Sequence, residues 1–231
     1  MELDKLLELE DRIGVKFNNH DMLLQALTHR SYLNERPSWH LDHNERLEFL
    51  GDAVLELVVT DYLYKNYPNP EGELTNWRAA IVNAVILSKI CGKFDLNDYI
   101  LLSRGEAKDT GRARHTILAN TFEAVVGALY LDQGLTAVKD FVEKHVMLHT
   151  EEIVTKGAWR DAKSAFQEFA QEKYGMTPAY ETVRAEGPDH DRHFVVSVSV
   201  GDVAIAEGEG KSKQEAEQAA AERALTEERK K

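Results

Sequence analysis

The segment Asn44-Glu45-Arg46-Leu47-Glu48-Phe49-Leu50-Gly51-Asp52-Ala53-Val54-Leu55 constrains this chain most, because it sets carboxylates of one sign into an otherwise apolar helical run. At about 100° per residue, Glu45, Glu48 and Asp52 share one narrow sector of a helix, and Glu56 falls close to it. Leu47, Leu50, Val54, Leu57 and Val58 form the opposite, core-facing stripe. Phe49 flanks the acidic sector on one side, Leu55 and Val59 on the other. Like charges one turn apart repel by about a few tenths of a kcal/mol per pair, and half-buried carboxylates suffer desolvation as well. A divalent cation reverses both penalties, since hard cations take oxygen ligands. A plain solvated acidic face is the alternative this segment leaves open, and the metal reading is favoured.

A second segment, His115 to Leu131, is again strongly helical and mostly apolar. Its polar interruptions, Asn120 and Glu123, stand three apart and share a face. Two apolar helices that each offer oxygen donors at helical spacing match the way carboxylate metal sites are built inside helical bundles. Alone, Asn120 and Glu123 read more often as a capping or hydrogen-bonded pair.

Together these stretches make the chain similar to bacterial-type ribonuclease III. The Asn44–Leu55 run with His43 resembles the family signature at almost every position. The resemblance extends to Ala26-Leu27-Thr28-His29-Arg30-Ser31 upstream and to Ile117-Leu118-Ala119-Asn120-Thr121-Phe122-Glu123-Ala124 downstream. It also covers the C-terminal third. So long a signature is far more specific than a short Gly-rich pattern.

The pattern of breakers divides the chain. From Leu3 to about Val154, apolar spacing of three and four recurs in 3–13, 22–28, 47–64, 74–94, 117–131 and 138–153. Gly14, Pro37, the Pro68–Gly72 turn, Gly105, Gly111 and Gly134 punctuate it. Residues 1–154 are therefore expected to form an all-α domain, which the resemblance makes the endonuclease domain, and 155–160 a linker, with Trp159 at its end. Residues 161–229 read as a small α+β domain. Within it 161–173 is an amphipathic helix, 180–184, 194–200 and 203–207 are strands, and Ser212 caps a helix over 213–227.

That α-β-β-β-α order is similar to a double-stranded-RNA-binding domain. The resemblance puts Gln167 and Glu168 of the first helix at one RNA minor groove. It puts His190, in the loop Gly187-Pro188-Asp189-His190, at a second. Lys211, Ser212 and Lys213 then lead into the last helix, facing the intervening phosphates. Here the chain departs from the family, which carries two consecutive basic residues and a third one turn later. Gln214 follows Lys213, and Glu217 holds the later position, with Lys211 as a partial substitute.

Composition bounds the partners. The chain has 231 residues, 43% of them hydrophobic, and a net charge of -12. No run approaches the roughly 18 apolar residues of a membrane span, and the N-terminal residues lack the pattern of a secretory signal. The single Cys91 has no internal disulfide partner, which fits a reducing, cytoplasmic compartment. The acidity argues against a nucleic-acid partner on composition alone. The C-terminal part, Lys156 to Lys231, carries 12 basic and 15 acidic residues. Metal ligands must be charged before metal arrives, however, and local basic clusters outweigh the global sign. Gly210-Lys211-Ser212 looks like the end of a nucleotide-binding loop, but Ile205 stands where that motif needs glycine, so no nucleotide cofactor is expected. His40-Leu41-Asp42-His43 and His190-Asp191-Arg192-His193 lack the cysteines of a structural zinc site.

The resemblance implies a chemistry and an assembly. Glu48, Asn120 and Glu123 would be direct Mg²⁺ ligands, with Mn²⁺ as a substitute, and Asp52 would orient or activate the attacking water. Glu123 and Asp52 are thus the catalytic pair. Glu45 and Glu71 match family acidic positions nearer the RNA. The reaction would cleave double-stranded RNA to 5′-phosphate and 3′-hydroxyl ends with short 3′ overhangs, processing rRNA precursors and other structured transcripts, mRNA included. The family acts as a homodimer, and Phe49 with Ala53, beside the acidic stripe, would supply an apolar subunit contact. Asn120 stands where the family usually has aspartate, so a non-cleaving RNA-binding protein is the runner-up. A helical metal hydrolase acting on small phosphate esters is the third class.

Overall fold

A computed structural model of the protein describes residues 3–108, 111–150, 162–188 and 192–228. The chain divides into two compact units, Met1–Trp159 and Arg160–Lys231. The linker expected over 155–160, with Trp159, and the loop residues Asp189 and His190 lie outside the described residues.

The first unit is helical: α1 (Leu3–Ile13), α2 (His20–Ala26), α3 (Arg30–Glu35), α4 (Glu45–Asn66), α5 (Glu71–Ile81), α6 (Ala84–Lys93) and α7 (Arg112–His145). Local chemistry sets several of the ends. The Asn19 side chain accepts from Asp21 N at 3.0 Å to start α2, and Asn83 accepts from Ile86 N at 3.0 Å to start α6. Gly134, at φ 80°, breaks the direction of α7 in a conformation that glycine adopts without a Cβ clash. Just before it, the Asp132 carboxylate accepts from Asn18 N at 2.7 Å and Asn19 N at 3.0 Å, tying the α1–α2 loop to α7. The core is continuous through Leu9, Ile13, Leu23, Leu55, Leu63, Ile81, Leu87 and Phe122, all fully buried. Each such side chain contributes about 1.5–3 kcal/mol on leaving water.

Three expectations change. Leu57, placed in the core stripe of α4, is exposed, whereas Leu55 and Val59, read as flanks of the acidic sector, are fully buried. The α4 core sector is centred on Leu47, Gly51, Val54, Leu55 and Val58 because the helix packs closely on α7 at Gly51. Apolar residues on every side of α4 left periodicity unable to pick that sector. The spacing over 74–94 belongs to two helices, which part at Val82 and the capping Asn83. The short α3 carries no apolar period and was not expected.

The second unit is α8 (Ala162–Tyr174), β1 (Ala179–Glu186), β2 (His193–Val200), β3 (Val203–Gly210) and α9 (Lys213–Glu228), the expected α-β-β-β-α order. Its sheet is antiparallel in the order β1-β2-β3. Val196, Val198 and Val200 point inward as their alternation predicts, and Val198 and Val200 pack with Phe166, Ala170, Ala220, Ala221 and Ala224. Alanines on α9 allow close approach to β3, where a Cβ on Gly208 would overlap the backbone of Ala216 and Ala220. Among the described residues of the chain, no helix is long and apolar enough to cross a membrane.

Candidate active site

Two glycines decide the geometry of the acidic face. A Cβ on Gly51 would collide with the carbonyl of Glu123 and lie 2.9 Å from Gly127 N. A Cβ on Gly127 would collide with Leu47 O and lie 3.1 Å from Gly51 N. Helices α4 and α7 therefore touch backbone to backbone at one crossing. Glu48 stands one turn before Gly51 on α4, and Glu123, whose own carbonyl faces Gly51, stands one turn before Gly127 on α7. The crossing brings Glu48, Asp52, Asn120 and Glu123 into one cluster.

The electrostatics of the cluster follow from that proximity. Burial raises the Glu48 carboxyl above its ordinary range, and the Glu45 and Asp52 charges add to the rise. A hydrogen bond from Asn120 opposes it, so the amide is already oriented on a carboxylate. Glu123 is pushed up to about 7, first by burial and then by the charges of Asp52 and Glu48. Such mutual repulsion in a half-buried site is the cost that a bound cation removes. The donors are carboxylate and amide oxygens, which suit a hard divalent ion rather than a soft one. Among the described residues, no group of three or more His, Cys, Asp or Glu is drawn tightly enough to form a ready-made metal site. The fit thus rests on the kind of donors and their repulsion, with the amide of Asn120 as one donor.

The outlying residues are placed differently. Glu45 is exposed in the first turn of α4, where Arg30 Nη1 approaches its carboxylate at 3.4 Å and His43 Nδ1 at 3.8 Å. Glu71 is exposed in the first turn of α5 and is not among the groups that perturb Glu48 or Glu123. Phe49 is 82% exposed. Sequence reasoning missed the pairing of Arg30 with Glu45 and the roles of Gly51 and Gly127. The signal for the glycines was available: two glycines inside strongly apolar helices, each three or four residues from an acidic ligand candidate.

In the second unit, Gln167 and Glu168 are exposed on α8 and line an open concavity with Ser164, Gln171 and Glu172. The Ser212 hydroxyl accepts from Glu215 N at 3.2 Å and caps α9, while Lys211 and Lys213 beside it are exposed. Glu217, in place of a family cation, has an internal partner instead: Lys163 on α8, at 2.6 Å. His190 lies outside the described residues.

Comparison with known proteins accounts for nearly the whole chain. Residues 19–150 match the family described as ribonuclease-III-like, and 162–228 match the double-stranded RNA binding motif. Ribonuclease 3 of Borreliella afzelii is 47% identical over 222 residues, covering 96% of this chain and 90% of that protein. Ribonuclease 3 of Latilactobacillus sakei is 46% identical over 226 residues, covering 97% and 98%. The solved nuclease domain of ribonuclease III from Campylobacter jejuni, noted for flexibility in a region involved in dimer formation, superposes with a TM-score of 0.55 at 37% identity. It covers 61% of this chain and 95% of that one. The chain belongs to the ribonuclease III family.

Proposed function

We propose that this protein is a Mg²⁺-dependent endoribonuclease that hydrolyses double-stranded RNA. The observation that carries the reading is the convergence of Glu48, Asp52, Asn120 and Glu123 across the Gly51–Gly127 contact, in a chain that also holds a double-stranded-RNA-binding motif. Glu48, Asn120 and Glu123 would hold the ion, and Mn²⁺ would substitute. When bound, the ion supplies an activated water at neutral pH and stabilises charge on the phosphoryl oxygens. Asp52, exposed at the rim of the cluster, would orient the attacking water and could accept its proton. Glu123 is half-buried, which desolvates its carboxylate in part. The α8 residues Gln167 and Glu168 read the minor groove by shape, and Lys211, Ser212 and Lys213 meet phosphates. Products carry 5′-phosphate and 3′-hydroxyl ends, and substrates are structured cytoplasmic transcripts such as rRNA precursors.

Labelled duplex RNA incubated with Mg²⁺ or with EDTA tests this directly, and cutting is expected only with Mg²⁺. Asn120 adds a quantitative arm, because an amide coordinates through oxygen but contributes no negative charge. Asn120→Asp is therefore expected to lower the Mg²⁺ concentration for half-maximal cleavage by about ten-fold, roughly 1.4 kcal/mol of ion binding, with unchanged cut positions. An unchanged half-point means residue 120 is not a ligand. An inactive wild type rescued by aspartate replaces the reading with that of a non-cutting RNA-binding protein.

The reading includes a homodimer. Phe49, Leu57 and Tyr64 are 82%, 55% and 78% exposed, and with Ala53 they form one stripe along α4 at helical spacing. Unpartnered apolar stripes of this kind mark interaction surfaces. Phe49→Asp places an unpaired charge in that contact and is expected to weaken self-association by about thirty-fold or more, the scale of a central interface aromatic. Sedimentation of both proteins measures it. A folded mutant that dimerises equally well counts against the interface.

A further inference from the structure

The segment Thr28–Ser31 is braced far more tightly than a surface turn requires. Thr28 O accepts from Asn44 N at 2.9 Å, and Asn44 Nδ2 donates to Ala26 O at 3.1 Å, which fixes the segment to the start of α4. On its other side, Leu101 N donates to Leu27 O at 2.8 Å, and His29 N donates to Leu101 O at 3.1 Å. The Ser31 hydroxyl accepts from Ser103 N at 3.1 Å and meets the His29 ring at 2.8 Å. Asn44 and Thr28 are buried polar residues, Asn44 using its side-chain amide in this bracing and Thr28 turning its hydroxyl back to Leu24 O in α2. Arg30, at the centre of the segment, is the exception, with a side chain 70% exposed.

Its surroundings give the arginine a purpose. The groups that perturb Glu48 and Glu123 include no cation. Positive charge reaches the acidic face at Glu45, through Arg30 Nη1 at 3.4 Å, while the His43 ring stands 3.8 Å from the same carboxylate. An exposed ion pair of that length adds little stability, so it does not account for a scaffold of hydrogen bonds from two other chain segments. A polyanionic substrate that enters beside carboxylates needs a fixed cation next to them. The guanidinium fork is the side chain suited to gripping phosphate oxygens in a set geometry.

We infer that Arg30 binds a backbone phosphate of the RNA adjacent to the scissile one, with Glu45 holding the guanidinium in place until the phosphate arrives. The inference rests on the endonuclease reading and adds a residue to it. The exchange of partners breaks and forms hydrogen bonds only. Arg30 positions the strand over the acidic cluster and takes no part in bond cleavage.

The test uses the full-length protein and a series of duplexes, each with one methylphosphonate linkage, which removes a single backbone charge, stepped through the positions flanking the cut. Wild type is expected to slow by about ten-fold or more at one linkage besides the scissile one, the worth of a charged hydrogen bond. Arg30→Ala should slow by a similar factor on unmodified RNA and lose its sensitivity at that linkage alone. A purely structural role would slow cleavage yet leave the sensitivity profile unchanged. If Arg30→Ala melts well below wild type, Arg30→Lys carries the same test, since it keeps the charge and loses the fork. A substitution that leaves both the rate and the linkage profile as in wild type overturns the inference. A wild type that cuts no duplex overturns the endonuclease reading instead, so the two failures are distinct.

Discussion

Glu123→Gln and Asp52→Asn are each expected to slow duplex cleavage by about a thousand-fold or more at saturating RNA, a loss of roughly 4 kcal/mol of transition-state stabilisation. Both substitutions keep shape and remove one charge from the cluster. Duplex affinity should stay within about a few-fold, because phosphate and groove contacts elsewhere supply it. Single-turnover cleavage and filter binding separate the two quantities. Cleavage at the wild-type rate in either variant would remove that residue from the catalytic assignment. Glu123 gives a second readout that needs no RNA. Its carboxyl, normally near 4.5, sits at about 7 in the metal-free fold, held there mainly by burial. A folded-state value above the unfolded one means the folded protein binds the proton more tightly. The metal-free protein should therefore lose stability as pH rises from about 4.5 through 7. Glu123→Gln should flatten that dependence, and Mg²⁺ should oppose it in wild type only. Thermal unfolding in EDTA at a series of pH values measures the first effect, and repeating it with Mg²⁺ measures the second.

Gly51→Ala is the second substitution with a large expected effect. The added methyl would strike the carbonyl of Glu123, a backbone atom that cannot swing aside as a side chain would. Helices α4 and α7 must separate to admit it, at a cost of about 3 kcal/mol or more, the upper range for overpacking. Separation also pulls Glu48 and Asp52 away from Asn120 and Glu123, so cleavage should fall below detection even where the protein still folds. Gly127→Ala, which meets Leu47 O from the other helix, should behave alike. Gly72→Ala and Gly92→Ala are the controls. Both sit in helices where an added Cβ meets nothing within 4 Å, and each should be neutral or stabilising by about 0.5–1 kcal/mol. Melting temperatures of the four variants check the contrast. A Gly51→Ala protein as stable and active as wild type would mean the helix crossing does not set the site.

Much of the architecture was legible in the residues themselves. Alternating Val196, Val198 and Val200 marked an inward-facing strand, Ser212 marked the start of α9, and both are as expected. These features are local: a two-residue period and a cap are complete within a few positions of the chain. The acidic residues of α4 and α7 were likewise visible as candidates, because carboxylates in apolar helices stand out wherever they pack. Which of them meet was a different kind of question. Glu48 and Glu123 are 75 positions apart, and their distance depends on the closeness of two helices that no local pattern encodes.

The amino-acid sequence by itself determined the all-helical class of the first unit, the α-β-β-β-α order of the second, the family, and the donor types at 48, 52, 120 and 123. Tertiary structure alone decided the core face of α4, because a helix apolar on several sides is oriented only by what packs against it. Leu55 and Val59 went inward and Leu57 outward for that reason. It also decided the partners of charges. Glu217 turned to Lys163, and Glu45 to Arg30 at the start of α3, a helix whose sequence shows no apolar period. Charge pairing acts through space between distant segments, whereas periodicity acts along the chain, and only the folded protein joins the two.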